Sequence, residues 1–334
     1  MRLQDDLREL IQGFQLTQAI YVITKLGVPD LLKEGPRSHE ELAQETHTHA
    51  PSLYRVLRLL TTIGLFTEDE AHRFAMTPLG TLLQIGVAGS MHYMILRFGG
   101  TDFWQVWGAL LYSVQTGQSA WEHVFGLNNW QYKEQYPETA EVFDAFMAES
   151  ISNLAPIVAT RYDFSTVSNL VDVGGGHGQL LASILQTYQT LQGVLFDLPH
   201  VVAGASSVLE QAGVTERCQV LSGDAFKSVP AGYETYLLSR VIHDWDDEHA
   251  VTLLMHCQQA MQPEGRVLLV EYMLLTDRTP EVAVLESDIN MLVAAGGRER
   301  SDAEYRVLLG AAGLSQTRLL PLLPPYYLIE AVRA

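Results

Sequence analysis

Asp172, Gly174, Gly176 and Gly178 stand at alternate positions in Asp172-Val-Gly-Gly-Gly-His-Gly178, after the apolar run Asn169-Leu-Val-Asp-Val173 and before Leu180, Leu181, Ile184 and Leu185. Glycines at this density permit a tight strand-to-helix turn with positive φ, and they let a ligand approach the backbone closely. The dinucleotide pattern Gly-x-Gly-x-x-Gly is excluded: read from Gly174 it meets Gln179, and read from Gly176 it meets Leu181. Seventy residues on, His243 lies in Leu238-Ser-Arg-Val-Ile-His-Asp-Trp-Asp-Asp247, and Glu271 closes the apolar run Val267-Leu-Leu-Val270. A carboxylate beside an imidazole orients the ring and favours its protonated form, which suits a general base.

The Asp-x-Gly-x-Gly-x-Gly spacing resembles the first motif of class I methyltransferases, which bind S-adenosylmethionine. Such a cofactor presents an ammonium that an acidic residue such as Asp172 can meet, and a carboxylate that suits backbone N–H groups at a helix start. Asp197, in Leu195-Phe-Asp-Leu-Pro199, ends the next apolar run, where a carboxylate can accept both ribose hydroxyls; the alternative is a helix cap before Pro199. In Gly223-Asp224-Ala225-Phe226, Asp224 can accept from an adenine amine with Phe226 packed nearby, or the Gly-Asp pair can simply form a turn. Three successive loops ending in such groups are hard to attribute to turn chemistry alone.

These residues need a parallel sheet to bring them together. From about Ser165 short apolar runs alternate with amphipathic helices: a helix from Gly178 to Tyr188, a strand at Gly193–Phe196, a helix from Val201 to Ala212, then strands at Gln219–Leu221, Tyr236–Leu238 and Val267–Val270. That alternation specifies a parallel sheet covered on both faces, with ligands beyond the carboxyl ends of the strands. Two further runs, Gln316–Leu320 and Tyr327–Val332, are separated by prolines and read as a hairpin that adds an antiparallel strand at the edge.

The N-terminal third is helical, with Leu3, Leu7, Leu10, Ile11 and Phe14 at helical spacing. Ser38-His-Glu-Glu41 is a capping box, a second helix carries Leu53, Val56, Leu57, Leu60 and Ile63 and ends at Gly64, and Leu65–Thr67 with Arg73–Met76 predict a hairpin. This is a winged-helix pattern. Between Glu34 and Glu70 acidic residues outnumber basic ones and the second helix offers only Arg55 and Arg58 to phosphates, so packing or dimerisation is favoured over DNA binding. An aromatic-rich stretch follows, including Phe103, Trp104, Trp107, Trp121 and Trp130, which suits a core or the walls of a pocket for a flat ligand. Phe143, Phe146, Met147 and Ser150 at helical spacing are candidates to line a cleft. The expected division is 1–90, 91–162 and 163–334.

Composition sets the outer limits. The chain has 334 residues, 47% apolar and 18% charged, with a net charge of −18. An acidic surface repels nucleic acid. No apolar stretch long enough for a membrane span or a signal peptide is expected, and two separated cysteines, Cys218 and Cys257, fit buried small residues in a reduced, cytoplasmic setting. No metal is expected.

Taken together, the winged-helix segment, Leu-Val-Asp-Val-Gly-Gly-Gly-His-Gly, Phe-Asp-Leu-Pro, Gly-Asp-Ala-Phe, Arg-Val-Ile-His-Asp-Trp-Asp-Asp and Gly296-Gly-Arg-Glu-Arg300 resemble the class II small-molecule O-methyltransferases along nearly the whole chain. The resemblance implies a Rossmann-like domain with a mostly parallel seven-stranded sheet, and an N-terminal domain that dimerises and contributes to the partner's pocket. It places Asp172, Gly174, Gly176, Asp197, Leu198, Gly223, Asp224, Ala225, Phe226, Arg240 and Trp245 around S-adenosylmethionine, whose product is S-adenosylhomocysteine. It makes His243 the base, flanked by Glu271 and Glu299, and Trp104, Phe143, Met147, Asp288 and Met291 are the candidates to touch substrate. Ser239 stands where plant members have lysine, so neighbouring Arg240 takes over that contact. The implied reaction is removal of a phenolic proton by His243 as the oxygen attacks the sulfonium methyl in line. The rival readings are N- or C-methylation or a non-methylating reaction on the same fold, and, from another class, a DNA-binding regulator.

Overall fold

The computed structural model describes residues 3–277 and 279–334. The chain divides into two compact units, one running to Gln105 and including Glu141–Glu149, the other formed by Val106–Ala140 and Ser150–Ala334.

In the first unit a long helix, Leu3–Lys25, precedes β1 (Arg37–Ser38), the helices His39–Glu45 and Ala50–Thr61, and a hairpin of β2 (Phe66–Glu68) and β3 (Arg73–Met76). The capping box forms as expected: Ser38 accepts from the Glu41 N–H while the Glu41 carboxylate accepts from the Ser38 N–H. The two-residue β1, which the sequence pattern does not reveal, pairs antiparallel with β3 to give the order β1-β3-β2. Ile23, Leu42, Leu53, Leu57, Leu60, Phe66 and Phe74 close a core beneath the wing. The first helix contributes only its C-terminal end to that core. Toward its N-terminus Leu3, Leu7, Leu10, Ile11 and Phe14 are exposed, Leu10 to 80%.

In the second unit the alternating pattern becomes a seven-stranded sheet. Its strands are β4 (Asn169–Val173), β5 (Gln192–Asp197), β6 (Cys218–Ser222), β7 (Thr235–Ser239), β8 (Arg266–Tyr272), β9 (Leu314–Pro321) and β10 (Tyr326–Arg333), in the order β6-β5-β4-β7-β8-β10-β9. The first five are mutually parallel, and the C-terminal hairpin forms the edge with β10 antiparallel to β8 and β9. Successive strand residues face opposite sides. Leu170, Leu195, Leu237 and Leu268 pack under Leu181, Ile184 and Leu209, while Val171, Val194, Tyr236 and Leu269 pack under Leu253, Leu254 and Leu308. The reversal of strand order at β4 and β7 leaves a crevice at their carboxyl ends, where ligands bind in such sheets.

The expected helix from Val201 to Ala212 is instead two, Pro199–Val202 and Ala205–Gln211. Gly204 sits at the break, and a Cβ there would stand 2.6 Å from the His177 ring, so the glycine-rich turn presses its imidazole into the gap. Among the described residues no single helix is long and apolar enough to cross a membrane.

Leu237 is fully buried in β7, between β4 and β8. Truncation to alanine removes packing atoms that the rigid sheet cannot replace, and denaturant unfolding of Leu237→Ala is expected to show a loss of about 2–5 kcal/mol.

Candidate active site

The glycine-rich turn connects β4 to the helix Gln179–Thr187. Gly174, Gly176 and Gly178 all adopt positive φ, at 71°, 61° and 85°, so each glycine of the motif is required by backbone conformation. Gly174 is also required by space, since a Cβ there would lie 2.8 Å from Val241 Cγ2, and so is the intervening Gly175, whose Cβ would lie 2.6 Å from Leu195 and 2.7 Å from the Asp172 carboxylate. At Gly176 a Cβ would meet nothing within 4 Å, so this is the open side of the turn.

Asp172 is only 1% exposed, and neither of its oxygens has a hydrogen-bond partner among the described residues. Burial, together with the negative charge of Asp197, pushes its carboxyl up to about 7. Asp197 at the end of β5 braces the turn, its Oδ2 accepting from the Gly176 N–H at 2.8 Å and its Oδ1 from the Leu198 N–H at 2.7 Å. The turn and the end of β5 are thereby held as one piece. Asp224 Oδ1 accepts from the Phe226 N–H at 3.0 Å, so the Gly-Asp pair does form a local turn. Gly223 admits the Phe196 ring, which a Cβ would meet at 2.6 Å. Phe226 stands edge-on to Trp245, with ring centroids 4.5 Å apart, giving this loop an aromatic wall.

Beyond β7 the chain turns sharply. Arg240 has a left-handed backbone, φ 57°, and its guanidinium donates to the Ser150 hydroxyl. Burial works against its charge, but Tyr326, Tyr272, Asp244 and Glu299 together raise it above the ordinary arginine range. His243 follows in a short 3-10 turn, Ile242–Asp244, and is 4% exposed. Its Nδ1 lies 2.8 Å from Glu299 Oε1 and 3.9 Å from Glu271 Oε2. A carboxylate can only accept, so Nδ1 carries the proton and, in the neutral ring, Nε2 carries the lone pair. Burial opposes a charged imidazole, but Glu299 and then Glu271 outweigh it, and His243 is held up at about 10.

The two glutamates are shifted in opposite directions. Burial pushes Glu271 up to about 7 against the attraction of His243, and its Oε1 accepts from the Val241 and Ile242 N–H groups. Glu299 is also opposed by burial, yet the His243 charge and hydrogen bond and the Ser287 hydroxyl hold it below the usual range. Ser287 donates to the same oxygen at 2.6 Å, and Asp288 accepts from the Glu299 N–H at 2.9 Å. Both come from the helix Val282–Ala294.

The segment Gly296–Arg300 lies along the His243 turn. A Cβ on Gly297 would come within 2.1 Å of the His243 carbonyl, and the Arg298 N–H donates to that carbonyl at 2.9 Å. Arg300 is fully buried, with its guanidinium on the carbonyls of Ile242, Trp245 and Arg298 and on the Asp247 carboxylate. Sequence reading finds the glycine turn, Asp197, His243, Glu271 and Glu299, and the structure brings the last three together. It misses Arg300, Ser287 and Gly297. Of these, Arg300 and Gly297 belong to a run the sequence marks, whereas Ser287 has no local pattern. Of the candidates to touch substrate, Asp288 and buried Met291 flank the Glu299 support in this unit, while Trp104, Phe143 and Met147 belong to the first unit. Among the described residues no group of three or more His, Cys, Asp or Glu is placed to hold a metal ion.

This site on this sheet defines a methyltransferase of the Rossmann-like type. The chain belongs to the O-methyltransferase family: the O-methyltransferase domain profile matches residues 107–315 and the O-methyltransferase dimerisation domain profile residues 8–85. It is 38% identical over 325 residues to the phenazine O-methyltransferase PhzM of Lysobacter antibioticus, covering 97% of this chain and 95% of that protein. It is 36% identical to the mitomycin biosynthesis 6-O-methyltransferase of Streptomyces lavendulae, covering 99% and 95%. Among solved structures, NcsB1 from neocarzinostatin biosynthesis, in complex with S-adenosylmethionine and 2-hydroxy-5-methyl naphthoic acid, superposes with a TM-score of 0.85 at 32% identity over 95% of this chain and 96% of that one. The chain is an S-adenosylmethionine-dependent O-methyltransferase. Its own geometry fits that cofactor: the orphaned Asp172 carboxylate suits an ammonium, and the open side of Gly176 beside Asp197 leaves backbone and carboxylate for a nucleoside.

Two outcomes follow. Replacing Glu299 by glutamine removes the largest attraction on the imidazolium, so the His243 titration, read from ¹⁵N-histidine NMR spectra, is expected to fall from about 10 toward the ordinary 6.5. For Asp172, the native carboxyl at about 7 lies above the unfolded value of 3.8, so the folded state binds the extra proton and loses stability as pH rises between these values. Asp172→Asn is expected to flatten that decline in the cofactor-free melting temperature and to weaken cofactor binding.

Proposed function

We propose that this enzyme methylates a phenolic hydroxyl of a small planar aromatic metabolite, with His243 as general base, and that it does so as a cytoplasmic homodimer. The observation that carries the reading is the contact between Gly174 and Val241: the side chain two residues before the base lies against the cofactor turn, so proton removal and methyl delivery share one wall.

Bound S-adenosylmethionine supplies an electrophilic methyl on a sulfonium sulfur. Asp172 would meet its ammonium, Asp197 its ribose hydroxyls, and the Gly223–Phe226 loop with Leu198 and Trp245 would hold its adenine. Arg240, held on Ser150, covers the same end of the sheet. His243 accepts the hydroxyl proton at Nε2 while Nδ1 stays on Glu299, so the ring leaves the step as an imidazolium already paired with a carboxylate. Because the carboxylates favour the imidazolium in the free protein, the neutral fraction of the ring takes the proton, and that fraction grows as pH rises and as the cofactor's sulfonium charge is bound nearby. Glu271 adds a second carboxyl to this cluster and, by accepting from the Val241 and Ile242 N–H groups, ties the base to the end of β8. Met291 and Asp288, on the helix that supports Glu299, are assigned to the acceptor's surroundings. A relative named as a phenazine O-methyltransferase and another solved with a naphthoic acid bound support a flat acceptor.

The dimer reading rests on the matched dimerisation profile and on the exposed apolar stripe Leu3, Leu7, Leu10, Ile11 and Phe14 of the helix Leu3–Lys25. The two cysteines, both free and buried, accord with a reduced compartment.

With a panel of phenols and labelled cofactor, His243→Ala is expected to lower kcat by about 10²–10⁴ while leaving cofactor binding intact. Adenosylhomocysteine should form one-to-one with O-methylated product in the wild type; product methylated on nitrogen or carbon, or cofactor left unconsumed, overturns the reading. Leu10→Asp with Ile11→Asp is expected to shift sedimentation from dimer to monomer. The His243 titration should also lie lower with S-adenosylmethionine bound than with S-adenosylhomocysteine, because the two differ by one positive charge at sulfur.

A further inference from the structure

The geometry points to Arg300 as the positioning residue for the base, a buried latch that holds both ends of the Ile242–Asp247 turn so that His243 meets Glu299. This rests on the reading of His243 as the base.

A guanidinium with no exposure to solvent must satisfy its donors internally. Arg300 does so almost wholly on one turn. Nη1 donates to the Ile242 carbonyl at 3.1 Å, before the base, and Nη2 to the Trp245 carbonyl at 2.7 Å, after it. Nε and Nη2 both reach Asp247 Oδ1, at 3.0 and 2.8 Å, in the first turn of the following helix. The planar fork therefore spans the chain on either side of His243, which a single ammonium cannot do. The neighbouring residue in sequence, Glu299, bonds to the imidazole itself, and the Arg298 N–H holds the His243 carbonyl. Gly297 lets the two strands of chain approach this closely, since a Cβ would lie 2.1 Å from the same carbonyl. Of three consecutive residues, Arg298 thus holds the backbone of the base, Glu299 its ring, and Arg300 the backbone before and after it.

The division of labour within the latch is also visible. The Asp247 side chain is 60% exposed, so water can replace it as a partner for part of the guanidinium, whereas the Ile242 and Trp245 carbonyls lie inside. Loss of Asp247 should therefore be mild. Loss of the fork frees the turn, lengthens the His243–Glu299 contact and lets the imidazole return toward the behaviour of an ordinary histidine.

The test uses the full-length enzyme with Arg300→Lys and Arg300→Met, read against wild type, Asp247→Asn and His243→Ala. Arg300→Lys keeps the charge and Arg300→Met the approximate shape, so one remains available if the other fails to fold; Arg300→Met with Asp247→Leu removes both charges if neither folds. The ¹⁵N-NMR titration of His243, measured without cofactor, is expected to move from about 10 toward 6.5 in the Arg300 variants and to stay close to wild type in Asp247→Asn. The alkaline rise of kcat/KM should move down by the same amount, and kcat should fall about 10²-fold with KM for S-adenosylmethionine little changed. Arg300 variants that fold, bind cofactor and keep both the wild-type titration and the wild-type kcat/KM profile would overturn the latch. An equal loss of melting temperature with an unmoved titration would make Arg300 merely structural and overturn it too. If His243→Ala retains full activity while the Arg300 variants still shift the His243 titration, the base assignment fails and the latch stands.

Discussion

Burial of a charged imidazole beneath the ends of β7 and β8 is the constraint on which the rest of the second unit depends. A side chain 4% exposed cannot carry charge on its own. Glu299 supplies the counter-charge at 2.8 Å, and once it is buried as well it requires partners of its own, which Ser287 and Asp288 provide. Glu271 is fully buried beside them and takes two backbone N–H groups from the turn that leads into His243. Each charge placed in the interior thus recruits donors from another element, and the helix Val282–Ala294, β8 and the Gly296–Arg300 segment are tied to one ring. The cluster does not stabilise the fold in proportion to its contacts, because desolvation opposes every member. Its consequence is chemical: a ring whose protonated form is favoured and whose neutral form keeps its proton at Nδ1, on Glu299.

The cofactor side follows a different logic. There the sheet fixes the ends of β4 and β5, and conformation rather than charge selects the residues. Three glycines with positive φ make the turn, Asp197 ties it to β5 through the Gly176 N–H, and the space above Gly174 is already taken by Val241. Among the described residues neither oxygen of Asp172 has a hydrogen-bond partner, and burial with the nearby Asp197 charge pushes its carboxyl up to about 7. A cofactor cation removes the deficit, so affinity and the stability of the free protein are coupled through a single carboxylate.

Much of this was legible in the sequence wherever a local rule applied. Alternating apolar runs and amphipathic helices gave the parallel sheet, Ser38-His-Glu-Glu41 gave a capping box, and the glycine spacing separated an adenosylmethionine turn from a dinucleotide one. The break at Gly204 was hidden because its cause, the His177 ring, comes from a loop 27 residues earlier. The same holds for the base. His243 and Glu271 could be paired because both close adjacent strands, but Ser287 and the grip of Arg300 depend on how distant segments lie together, which no spacing encodes. Asp224 shows the opposite limit: its local turn was foreseeable, and the hydrogen bond to the Phe226 N–H realises it, while its second oxygen lies 3.3 Å from Lys227 Nζ.

The central claim, that His243 removes the acceptor proton, is tested most directly by the dependence of methyl transfer on acceptor acidity. With a series of phenols of graded pKa at fixed pH, wild-type kcat/KM is expected to vary little across the series, because the enzyme provides its own base. His243→Ala should retain substantial activity only toward phenols acidic enough to be ionised already, and should lose activity steeply toward the rest. A variant whose loss is the same for every phenol, ionised or not, would show that His243 holds the site together without taking the proton, and would contradict the account.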